Sequence, residues 1–103
     1  MATSSKGGTR KSRQNATIRL PAELGMEGMR DLYAQLLACV DSAAPVTLEA
    51  GEVQRVHGAA LQLFCSFFRD RGRAGRETRW NQPTDALRSA AALLGLTELI
   101  QLT

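Results

Sequence analysis

The chain offers one histidine, His57, for proton transfer or metal binding near neutral pH. The recurring phosphate, dinucleotide, zinc-protease and serine-hydrolase patterns, GxxxxGK, GxGxxG, HExxH and GxSxG, are all absent. Cysteine is equally sparse. Cys39 in LLACV and Cys65 in LFCSF each sit inside an apolar stretch without CxxC spacing, which suits small buried hydrophobes better than a disulfide or a zinc site. On one helix, His57 and Cys65 would stand about 12 Å apart along the axis, too far for a nucleophile and its base. Glu49 and Glu52 are the carboxylates that fall together in a loop, and with no partner base or metal ligand they are expected to be solvated. No apolar run approaches the ~18 residues of a membrane span, and no signal-like apolar segment follows the N-terminus. These absences predict a cytoplasmic binding module with no catalytic residue, no metal and no cofactor.

What is present is one domain's worth of core. The chain has 103 residues, of which 44% are apolar. Of thirteen basic residues, Lys6, Arg10, Lys11 and Arg13 fall in the first fifteen positions without an acid, leaving nine basic against ten acidic residues from Ala16 onward. The basic pI therefore belongs to a tail. Residues 1–15 are expected to be disordered, since MATSSKGGTRKSRQN has nothing apolar beyond Met1 and Ala2 to bury, and residues 16–103 are expected to fold as a near-neutral domain.

Along that domain the hydrophobic period changes several times. ATIRLPAEL alternates Ile18 and Leu20 with polar neighbours and stops at Pro21, a short strand. Met26, Met29, Leu32, Tyr33, Leu36, Leu37 and Val40 then recur every three or four residues, the stripe of a first helix. VTLEAGEVQRV reads as a strand with an irregular exit after Ala50 and Gly51. Gly58 to Arg69 forms a second helix, apolar over most of its circumference, with Ala59, Gln62, Ser66 and Arg69 on its narrow polar face. RETRW supplies another strand, and NQPTD starts a third helix with Thr84 or Asp85 as cap and Gly95 as its stop. LTELIQL closes the chain as a short strand or helical turn. Helices alternating with strands predict an α/β class: a small sheet covered by helices, with Val46–Leu48 parallel to Glu77–Trp80 through the second helix.

Arg69, Arg71, Arg73, Arg76 and Arg79 gather around a glycine-containing connection, but Asp70 and Glu77 dilute them. A solvated connection is expected there rather than a nucleic-acid patch.

The succession VTLEAGEVQRVHGAALQLF, then RAGRETRWNQPTDALRSAAALLGLTELIQL, resembles the STAS domain, the family of anti-sigma factor antagonists and related bacterial regulators, from Thr17 to the C-terminus. The family's strand runs into its helix through a pattern of the kind hxLDLSxVxxIDSSGLxxL. On that template Glu49 takes the first acid's place and Val53 and Val56 the apolar positions. His57 stands for the second Asp, Gly58 and Ala59 for the two small hydroxyl residues, Ala60 for the Gly and Leu61 for the Leu. The resemblance implies a phosphorylated Ser or Thr where Ala59 stands, and alanine has no oxygen to modify; Ser66, further along the helix, is the weaker alternative. It further implies a protein-binding surface at the helix start, around His57, Gly58, Ala59, Gln62 and Ser66. The implied partner is an anti-sigma factor or histidine kinase-like protein, or the ATPase of a bacterial phospholipid ABC transporter that has a STAS subunit. A small-ligand or nucleotide-binding module is the alternative class, and would need a pocket among the strand exits. The wide Phe64, Phe67 and Phe68 face of the second helix leaves a homodimer as a further option.

Overall fold

The computed structural model describes residues 16–102, so the basic tail expected to be disordered lies outside the described residues. Strand β1 (Ala16–Arg19) leads through Pro21 into a two-residue strand β2 (Glu23–Leu24), a 3-10 turn (Met26–Gly28) and helix α1 (Met29–Cys39). Strand β3 (Val46–Glu49), a turn, and strand β4 (Arg55–Val56) then deliver the chain to helix α2 (Gly58–Arg73). Strand β5 (Thr78–Asn81) and helix α3 (Asp85–Leu93) complete the regular elements.

The central sheet has the order β1-β3-β5 with both pairs parallel, Ala16 opposite Val46 and Val46 opposite Thr78. Parallel neighbours need a crossover, and α1 and α2 provide the two. Val46 and Leu48 of the middle strand are fully enclosed, while Thr47 and Glu49 on its other face stay half-buried. A second, two-stranded parallel pair joins Glu23 to Arg55 and Leu24 to Val56. The expected α/β class and the expected pairing of Val46 with the RETRW strand are both present.

One core gathers Ile18 from β1 and Leu20 just after it, Leu32 and Leu36 from α1, Leu61, Phe64, Phe67 and Phe68 from α2, and Leu87 and Ala91 from α3. The three phenylalanines are at most 3% exposed, so the face offered to a second copy is consumed inside the chain. Trp80 of β5 stacks on Phe68 at 5.7 Å and meets Phe64 edge-on at 5.2 Å. Its indole N–H donates to the Ile100 carbonyl at 2.6 Å, pinning the C-terminal turn, a turn and not a strand, to the sheet.

Two of the sequence expectations shift at α2. The helix continues past Arg69 to Arg73 and stops at Gly75, whose φ of +71° allows the Arg76 N–H to reach the Arg71 carbonyl and the Gly75 N–H that of Gly72. The connection expected to be solvated is therefore largely helix, and Arg71 within it has 0% exposure.

Candidate functional site

The β4–α2 junction is set by backbone first. The His57 N–H donates to the Leu24 carbonyl at 2.8 Å, continuing the β2–β4 pairing and holding the helix start against β2. His57 has extended φ and ψ of −78° and 145°, and its carbonyl accepts from Ala60 and Leu61, the geometry of a residue just outside a helix. Its Nδ1 accepts from the Ala59 N–H at 3.1 Å. The ring nitrogen thus takes the role usual for an Asp, Ser or Thr oxygen, and only a ring with a free lone pair at Nδ1 can do so.

Beyond the cap the helix presents small and neutral groups. Gly58 and Ala59 are half-buried, Ala60 and Leu61 are enclosed, and Gln62 and Ser66 are exposed, so the five residues expected to meet a partner lie together along the start of α2. A Cβ on Gly58 would touch Leu94 Cδ1 at 3.7 Å, an ordinary contact, so the helix start tolerates a larger residue there. Leu94 itself, the residue just after α3, is 51% exposed at the edge of this surface. At the other end Ser66 borders a shallow apolar hollow between α1 and α2, where Tyr33, Leu37, Leu63 and Phe67 meet. Arg69, next on the polar face, is engaged with Asp70 at 3.3 Å.

The remaining candidates resolve differently. Glu49 accepts from Asn81 Nδ2 at 2.9 Å, bridging β3 to β5, while Glu52 lines a groove on the α1 side. Cys39 and Cys65 are free and half-buried, and burial pushes the Cys65 thiol up, with Arg69 partly opposing. Among the described residues no group of three His, Cys, Asp or Glu side chains could hold a metal ion, and no helix is long and apolar enough to cross a membrane.

Of the five clustered arginines, Arg79 pairs with Glu77 at 2.9 Å, Arg69 with Asp70, and Arg76 donates to the Asp41 carbonyl. Arg71 is an internal anchor that residue-type reasoning missed. Its guanidinium donates to the carbonyls of Cys39, Ser42, Ala44 and Glu77 at 2.7–3.0 Å and its Nε to Thr78 Oγ1 at 2.7 Å. The signal was present in the spacing, since Arg71 continues the Phe64, Phe67 and Phe68 stripe.

The groove that Glu52 joins was not foreseen either. It is open, about 890 Å3 in volume, and runs between the end of β1, β2, the 3-10 turn and the first turns of α1. Gly25 and Gly28 face free space there, with no atom within 4 Å of a Cβ on either.

The family model described as "Mlab, STAS domain" matches residues 8–101. No curated protein matches the chain.

Proposed function

Since the chain belongs to the STAS domain family, we propose that it works as a non-enzymatic docking component in the cytoplasm, gripping a protein partner through His57, Gly58, Ala59, Gln62 and Ser66 without a phosphorylation switch at the helix start. The observation that carries this reading is the character of Ala59. It stands half-exposed in the first turn of α2, carries only a methyl group, and has its N–H already satisfied by His57. A methyl surface of this kind lets a partner's backbone come close and gives a kinase nothing to modify. It supports binding that is constant rather than switched.

Two kinds of partner fit such a role: a kinase-like anti-sigma factor or histidine kinase, and the ATPase subunit of a phospholipid transporter. Co-purification with each, co-expressed from the neighbouring genes, separates them. Ala59→Glu places charge and bulk on the surface while leaving the core untouched, so capture of the true partner should be abolished with the circular dichroism spectrum unchanged. An undiminished yield would refute the surface.

The ligand-binding alternative draws less support. The groove at the β1 exit is lined by Glu23, Glu27, Asp31 and Glu52 against Arg19, which repels nucleotides and anionic lipid headgroups. A thermal shift with either would contradict this.

A further inference from the structure

The groove beside the docking tip has a chemistry of its own. Its floor is the edge of the core, Leu20, Leu24 and Leu32, and Met26, 64% exposed, forms its lip. Around that floor stand Glu23, Glu27, Asp31 and Glu52, with Arg19 the cation of the lining. None of these carboxylates takes part in an ion pair among the described residues, where the two pairs are Arg69 with Asp70 and Arg79 with Glu77. Arg30 and Arg55 stand near in sequence and register but within salt-bridge reach of none of them.

We propose that this groove receives a basic, amphipathic segment of the protein partner, one or two large apolar side chains seated over Leu20, Leu24 and Leu32 and flanked by lysine or arginine facing Glu23, Glu27, Asp31 and Glu52. An apolar floor ringed by carboxylates that no described cation pairs with is complementary to such a segment in both respects. The chain's own basic tail matches only the charge. It has no apolar side chain beyond Met1 and Ala2 to cover the floor, and it enters the sheet at Ala16, the opposite end of β1 from Leu20. The groove also adjoins the docking tip directly, because the Leu24 carbonyl in its wall accepts from the His57 N–H. The proposal rests on the docking reading in one respect: the segment comes from the protein held at that tip.

The test needs no knowledge of the partner. A fluorescein-labelled peptide of alternating arginine and leucine, titrated into the full chain, is expected to bind and to shift the amide resonances of Leu24, Gly25, Gly28 and Asp31. An alternating glutamate and leucine peptide of equal length is expected not to bind. Glu23→Lys combined with Asp31→Lys should weaken the arginine peptide about tenfold or more. Gly25→Phe, which fills the groove from a position of ordinary backbone geometry, should also block it. Equal binding of both peptides, no binding, shifts confined to other regions, or an unchanged affinity in the charge-reversed variant would overturn the proposal. Replacing Lys6, Arg10, Lys11 and Arg13 by glutamine should leave the affinity as it was. A marked tightening would assign the groove to the tail and overturn the partner assignment. Ala59→Glu should leave peptide binding intact, so failure of the groove and failure of the docking tip are told apart.

Discussion

Arg71 is a cation in no ion pair among the described residues, enclosed by carbonyl oxygens from two separate stretches of chain, residues 39–44 and Glu77. Cys39 and Val40 supply carbonyls at the C-terminal end of α1, where the helix dipole favours positive charge. Burial, with Arg76 adding to it, pushes the guanidinium below its ordinary value, yet arginine keeps its proton. Arg71→Met would take from the Val40 and Ser42 carbonyls the donor that Arg71 supplies, and one bond each from Cys39, Ala44, Glu77 and Thr78, and should lower the urea-unfolding free energy by about 3–5 kcal/mol, with Arg71→Lys falling between Met and the native residue. A loss under about 1 kcal/mol would contradict the anchoring role. His57 presents the milder case. Its Nδ1 bond to Ala59 makes His57→Ala cost about 1 kcal/mol in the same measurement, while His57→Asp should match or exceed the native stability. The sequence showed His57 as an acid position without an acid. Its capping role became visible only when the ring nitrogen was placed over the helix. Arg71 was harder still, because most of the oxygens that make its burial tolerable, those of Cys39, Val40, Ser42 and Ala44, come from residues 27 to 32 positions away.

At the scale of the element, α2 explains both a success and a miss. The phenylalanine stripe and the polar steps Ala59, Gln62 and Ser66 follow from a 3.6-residue period, and the helix presents them as that period requires. Its end does not follow from the period, because Gly72 looks like a breaker and Gly75 looks no different. Only Gly75 has a positive φ, at +71°, whereas a Cβ on Gly72 would meet nothing within 4 Å. Gly75→Ala should therefore destabilise by about 1 kcal/mol, and Gly72→Ala should be neutral or stabilise by about 0.5–1 kcal/mol, both read from thermal unfolding. The opposite ranking would place the helix end elsewhere. Strands β2 and β4 escaped notice for a different reason: two residues each are too few to show alternation. The groove was hidden with them, since β2 and the turn after it form its wall.

For the molecule as a whole, the parallel pairing of β3 with β5 was legible because the strands alternate with helices and a parallel neighbour must be reached by a crossover, whereas the place of β1 beside β3 was not. That topology brings the start of α2, the exposed Leu94 and the groove by β2 into one neighbourhood, a small-residue tip with an apolar flank and an acidic cleft. Open α/β sheets commonly bind at the ends of their strands, and here the strand end passes into a helix that holds no hydroxyl before Ser66. The central claim is that this helix start is a face for another protein. Amide hydrogen exchange of the chain, alone and saturated with its co-purified partner, tests it most directly. Protection should increase across residues 57–66, including the exposed Gln62 and Ser66. Exchange there that is unaltered while another surface becomes protected would contradict the claim.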